Sequence, residues 1–76
     1  MSNDKTITVQ ASGSLRQHVP PGTTVQNVQT VGEAVTRLNL PEVGELILMV
    51  NGRLAHWQME LNDGDTLQLI PAISGG

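Results

Sequence analysis

Polar and apolar positions alternate from Lys5 to Gln10, with Ile7 and Val9 on one side and Thr6, Thr8 and Gln10 on the other. This period of two predicts a half-buried strand. From Ala11 to Gly22 no period is sustained, and the stretch ends in the loop signal Pro20-Pro21-Gly22. Two placements compete for the second strand. In one, Leu15, Gln17 and Val19 share a face; in the other, Thr23–Val28 is extended with Val25 inward. The second is preferred, because both prolines then precede the strand without interrupting it.

At Thr30 the period changes. Thr30-Val31-Gly32-Glu33 fits a capping box, in which the threonine hydroxyl accepts from the Glu33 amide and the glutamate side chain reaches back. Val31, Ala34, Val35 and Leu38 follow at the spacing of one helix face. Pro41 is expected to stop this helix, because the residue before a proline resists the α region, and Arg37 in the last turn suits the negative end of the dipole. Glu45–Val50 is the densest apolar run, and Asn51-Gly52 behind it predicts a two-residue hairpin returning through Arg53–Trp57. Asn62-Asp63-Gly64-Asp65 predicts a second tight turn, after which Thr66–Ile70 alternates with Leu67 and Leu69 inward. Pro71 ends that strand, and Ala72, Ile73, Ser74, Gly75 and Gly76 form a tail with nothing to pack.

The order is hairpin, helix, strand pair and final strand. It divides the chain into a domain over residues 1–70 and a C-terminal tail over 71–76. One helix must cover one face of a mixed sheet of four or five short strands. The preference for right-handed crossovers sets the last strand parallel to the first, in the middle of the sheet. The class is α+β and the arrangement a β-grasp.

Composition narrows the chemistry. Seventy-six residues hold one domain and leave little room to enclose a conventional enzyme pocket. The absence of cysteine excludes disulfides, thiolate zinc sites and a cysteine nucleophile. Four Lys+Arg against seven Asp+Glu give a net charge of −3, which argues against nucleic acid as a partner. No apolar run approaches the roughly 20 residues of a membrane span. The polar start, Met1 to Lys5, has no signal-peptide core, so a cytoplasmic location is expected. The core must be aliphatic, since Trp57 is the one aromatic residue.

Several residues carry candidate chemistry. Ile47 and Met49 point away from Leu46, Leu48 and Val50; either loops bury them or they form an exposed apolar patch for a partner. Trp57 either rims that patch or closes the bottom of the core. His18 and His56 lack converging ligands, so no metal site is expected. Asp63 and Asp65 are explained by turn chemistry, because the run lacks the length and terminal glutamate of a calcium loop. Arg16 and Arg53 are either solvated or in contact with an acidic partner surface. Gly75-Gly76, without Cβ atoms, can thread a narrow channel and present a terminal carboxylate, ionised at neutral pH with a reference pKa of about 3.3–3.7.

Three segments, Val50-Asn51-Gly52-Arg53-Leu54, Leu61-Asn62-Asp63-Gly64-Asp65 and Leu69-Ile70-Pro71-Ala72-Ile73-Ser74-Gly75-Gly76, together resemble the ubiquitin-like sulfur-carrier family. That family includes the small subunit of molybdopterin synthase and the thiamine sulfur carrier (the MoaD and ThiS types). The helix start Thr30-Val31-Gly32-Glu33-Ala34 and the loop Leu15-Arg16 extend the resemblance over nearly the whole chain, and Leu15-Arg16 with Pro71 tip it toward the molybdopterin type. The chain departs from the family in having Leu69-Ile70-Pro71-Ala72 where aromatic residues before a Pro-Pro pair are common. The resemblance implies a ubiquitin-like β-grasp fold and a co-substrate rather than a catalyst. An E1-like adenylyltransferase would use ATP to transfer AMP to the Gly76 carboxylate, with Gly75 giving access. A sulfide equivalent from a desulfurase or other sulfurtransferase would then displace AMP and leave a thiocarboxylate. The sulfur would pass on in molybdopterin biosynthesis, with a large synthase subunit as partner, or to a thiazole synthase in the thiamine pathway. No bound cofactor is implied. Ile47, Met49, Ile73 and Ser74 are the expected partner contacts. Two other functions fit the same residues: a ubiquitin-like modifier joined to lysines through Gly76, and a non-covalent β-grasp binding module with an inert tail.

Overall fold

The computed structural model describes residues 4–40 and 45–72. Strand β1 is Thr6–Ala11 and β2 is Thr24–Gln26, with a 3-10 turn, Gly13–Gln17, between them. Helix α1, Val31–Leu38, precedes β3 (Leu46–Val50), β4 (Arg53–Ala55) and β5 (Thr66–Pro71). The described strands form one mixed sheet in the order β2-β1-β5-β3-β4. β5 lies in the middle, parallel to β1 and antiparallel to β3, as the crossover rule predicts.

The period-two pattern sorts the sheet into two faces. Ile7, Val9, Val25, Leu48, Val50, Leu67 and Leu69 are buried under α1, which contributes Val31 and Ala34, with Val35 and Leu38 packed at the margin. Leu15, Val19, Val28 and Leu61 complete this aliphatic core. No helix among the described residues is long and apolar enough to cross a membrane.

Of the two placements for the second strand, the preferred one holds in shortened form. Leu15 and Val19 are both buried, yet neither lies on a strand: the Leu15 carbonyl accepts from the amides of His18 and Val19, closing a 3-10 turn. A turn brings residues four apart to one side and so buries the same pair that an extended segment would have aligned. The strand is instead Thr24–Gln26, shorter than the expected Thr23–Val28, with Val25 inward. It ends where Asn27 takes a positive φ of 60°.

Two details at the helix ends also differ. Thr30 is the N-cap and its hydroxyl accepts from the Glu33 amide at 3.2 Å, but the Glu33 carboxylate accepts from Gln29, one residue before the cap. The chain arrives extended, with Thr30 bridged to Glu60, and this turns the Gln29 amide toward the glutamate. The helix stops at Asn39, in the left-handed region with φ 55° and ψ 51°, its amide donating to the Thr36 carbonyl. Asparagine tolerates this conformation and ends the helix before Pro41, which lies outside the described residues. Arg37 donates to the Gln26 carbonyl at 3.2 Å and ties α1 to β2.

Both predicted turns form. Asn51 and Gly52 have φ of 54° and 82°, the double positive that a two-residue hairpin requires. The Asn51 side chain accepts from the Thr66 amide (3.0 Å) and donates to Asp65 (2.9 Å), clamping this hairpin to the start of β5. The Asp65 carboxylate accepts from the Asn62 amide within the turn, while that of Asp63 accepts from the Thr6 amide and ties the turn to the start of β1.

Candidate functional site

The face opposite α1 is built by the alternate residues of the same strands. Register places Thr24, Thr8 and Thr66 in one row, and Gln10, Gln68, Met49 and Leu54 in the next. Ile47 lies beside Ile70 one step further along. The strand residues on this face are thus threonine and glutamine on β2, β1 and the start of β5, and aliphatic on β3, β4 and the end of β5. None of them is charged. Ile47 is 39% exposed and Leu54 75%, while Met49 and Ile70 are half-buried between their neighbours.

Ile47 and Met49 therefore do point away from the core, and Ile47 is exposed rather than covered by a loop. Ile70 and Leu54 join them and were not singled out from the sequence. The signals were there: inward Leu67 and Leu69 imply outward Ile70, and a two-residue turn at Asn51-Gly52 sets Met49 opposite Leu54. Trp57 does not rim this patch. It lies on the other side of the sheet, against the first turn of α1, where a Cβ on Gly32 would stand 3.6 Å from its ring. Its carbonyl accepts from the Gly32 amide at 2.9 Å and that of Met59 accepts from Val31 at 2.9 Å, so the loop after β4 completes the helix cap. Held there by its backbone, the Trp57 residue remains 48% exposed.

The patch adjoins the root of the tail. β5 pairs through Ile70 and Pro71 with Ile47 and Leu46 of β3, and the Ala72 amide donates to the Glu45 carbonyl at 3.0 Å. On the other side, Ser12 donates to the Leu69 carbonyl at 3.1 Å. Gly13 (φ 60°) runs beside Pro71, where an added Cβ would make ordinary van der Waals contact at 3.6 Å. The strand feeding the tail is thus flanked by chain on both sides as far as Pro71, and on the β3 side as far as Ala72. Ile73, Ser74, Gly75 and Gly76 lie outside the described residues. Arg16 and His18 are exposed at the 3-10 turn, and Arg53 and His56 are exposed on and just after β4.

Residues 9–76 match the ThiS family. No curated protein matches the sequence. Among solved structures, the HVO 2177 protein of Haloferax volcanii superposes with a TM-score of 0.80 at 18% identity, covering 100% of this chain and 91% of that one. Urm1 of Trypanosoma brucei superposes at 0.65 with 25% identity, covering 100% of both chains. A complex of subunits 1 and 2 of the molybdopterin-converting factor of Helicobacter pylori contains a chain that superposes at 0.62 with 20% identity, over 93% of this chain and 99% of that one. These likenesses agree with the β-grasp topology of the sheet and helix.

Proposed function

Because the chain belongs to the ThiS family, whose members act as small carriers and adaptors rather than catalysts, we propose that it is a sulfur carrier whose reacting group is the carboxylate of Gly76. The observation that supports this reading most directly is the setting of β5. It is the central strand, hydrogen-bonded to both neighbours, and it leads into Ile73-Ser74-Gly75-Gly76, the stretch with which the family match ends. Such a strand fixes where the tail starts, and two glycines let its last residues enter a narrow active site.

In the proposed reaction a Gly76 carboxylate oxygen attacks the α-phosphorus of ATP on an E1-like adenylyltransferase. Pyrophosphate leaves and an acyl-adenylate forms. A sulfide equivalent, delivered by a desulfurase or other sulfurtransferase, attacks the carbonyl carbon and expels AMP, leaving the thiocarboxylate. This chain carries seven acidic and four basic side chains, and its described residues gather no cationic cluster at the tail root, so the enzyme supplies the charges that stabilise the phosphate. Ile47 and Met49, with Ile70 and Leu54 beside them, form the docking face, and Ile73 and Ser74 are the first tail residues that the partner grips.

The pathway we propose is molybdopterin synthesis, in which a larger synthase subunit takes the sulfur in the cytoplasm. Leu15-Arg16 and Pro71 support it, as does the likeness to a chain of a two-subunit molybdopterin-converting factor. The test is intact mass spectrometry after incubation with the activating enzyme, ATP and a sulfur donor. The expected product has one oxygen of Gly76 replaced by sulfur. Recovery of the chain on other proteins through a Gly-Gly–lysine linkage would make it a modifier. An unchanged mass, with full partner binding after deletion of Gly76, would make it a binding module.

A further inference from the structure

A groove of about 400 Å³ opens at the end of β1, between the 3-10 turn and the Pro20–Gly22 loop, and Gly13 in its lining runs beside Pro71 at the tail root. Gln10, Ala11, Gly13, Arg16, Pro20 and Gly22 line it. Its walls are fixed by the backbone. The 3-10 turn is stapled to β5 through Ser12 and Leu69, and Thr23 closes the Pro20–Gly22 loop with both its amide (3.2 Å) and its hydroxyl (2.7 Å) on the Pro20 carbonyl. Two prolines and a closed turn leave such a wall little conformational entropy to lose on binding.

Charge is distributed unevenly between the two ends of the sheet. Asp63 and Asp65 lie in the turn before β5, Asp4 just ahead of β1, and Glu33 and Glu60 by the start of α1; all are at the end away from the tail. Lys5 donates to the Leu61 carbonyl and Arg37 to that of Gln26, and Arg53 follows the β3–β4 turn at the far end. Among the described residues this leaves Arg16 as the Lys or Arg side chain at the tail end, and it lines the groove. Glu45 flanks the tail there on the opposite side, along β3.

We propose that this groove receives a glutamate or aspartate side chain from an acidic loop of the protein that activates the tail, with the Arg16 guanidinium as its ion-pair partner. The inference rests on the carrier reading, since it is the activated tail that brings such a protein to this end. A guanidinium presents paired N–H donors that match a carboxylate. On a chain of net charge −3, a cation at the end of the sheet where the tail starts orients an acidic partner loop toward that end and away from the carboxylate-rich one.

Two measurements test this. In ATP–pyrophosphate exchange with the activating enzyme, Arg16→Glu should raise the KM for the carrier about tenfold with kcat within about twofold, whereas Arg53→Glu should change neither. An unchanged KM for Arg16→Glu would overturn the proposal while leaving the carrier function intact. Failure of the unmodified chain to support exchange would instead count against the carrier function. The second measurement does not depend on that enzyme: a 15N NMR titration with the peptide acetyl-Gly-Glu-Glu-Gly-amide. Shifts at Gln10, Gly13, Arg16 and Gly22 should appear with this peptide, vanish in Arg16→Gln and be missing with the glutamine analogue. Absence of these shifts, their persistence with the glutamine peptide, or tighter binding of inorganic phosphate at the same residues would overturn it.

Discussion

Leu48 and Ile47 are neighbours on β3 that face opposite ways, so one truncation made at each tests which side of the sheet is free for a partner. Leu48 is 3% exposed. Leu48→Ala opens a cavity under α1 and should cost about 2–5 kcal/mol. That is a large share of the roughly 4–11 kcal/mol expected of a domain this size at about 0.05–0.15 kcal/mol per residue. Ile47 is 39% exposed. Fully burying an isoleucine is worth about 1.5–3 kcal/mol, so the part already covered in the free protein contributes about 0.9–1.8 kcal/mol. The remaining part, about 0.6–1.2 kcal/mol, is gained only when a partner covers it. Ile47→Ala should therefore weaken docking about 3- to 8-fold while leaving the protein folded. Stability is read by urea unfolding followed through Trp57, the only aromatic residue, which rests on the first turn of α1 and leaves it on unfolding. Docking is read by calorimetry with the activating enzyme. Equal loss of stability in the two variants would refute the assignment of faces. Wild-type affinity in a folded Ile47→Ala protein would refute the docking surface.

Three further outcomes are expected. Thr30→Ala removes the hydroxyl that caps α1 and should lower stability by about 1 kcal/mol in the same urea assay, with no change in tail chemistry. Asn51→Asp replaces the amide that donates to Asp65 with a carboxylate, setting two negative groups in contact; a loss of about 1–3 kcal/mol, partly recovered in high salt, is the expected result. One residue appended after Gly76 should block AMP transfer without shifting the thermal midpoint, and normal transfer to the extended chain would contradict the role given to Gly76.

Most of the fold could be read from the sequence because its local signals agree with one another. The alternation in β1 and β5, the helical spacing from Val31 to Leu38 and the Asn51-Gly52 turn each specify an element, and the crossover rule joins them in one order. What the sequence left open falls where distant chain decides local structure. Leu15 and Val19 have spacing that suits either a strand or a turn, and the choice is made by Ser12 and Gly13 packing on β5. Trp57 is placed by the donors at the start of α1, a demand that lies 25 residues earlier in the chain. The groove at Arg16 has no sequence signature, since its two walls become neighbours only once the 3-10 turn has formed.

Under the proposed function, the same sheet accounts for how a partner would recognise so small a chain. The partner in that proposal must locate Gly76, and it needs a fixed reference from which to do so. Here the reference is β5 itself: Ile70 contributes to the proposed docking face, Leu69 to the core, Pro71 lies beside Gly13, and Ala72 is hydrogen-bonded to Glu45. Docking face, core and tail root are thus consecutive residues of one strand paired on both edges. Such a strand moves little relative to the sheet, so a partner seated on Ile47 and Ile70 meets the tail root in a nearly constant position. Loosening the root should then cost turnover even when the docking face is untouched. Gly13→Val puts a branched side chain at a φ of 60° and against Pro71, and it should lower kcat/KM for AMP transfer more than Ile47→Ala does. If transfer to a folded Gly13→Val protein stays at the wild-type rate, the tail finds its enzyme as a free stalk and the rigid strand is irrelevant to function.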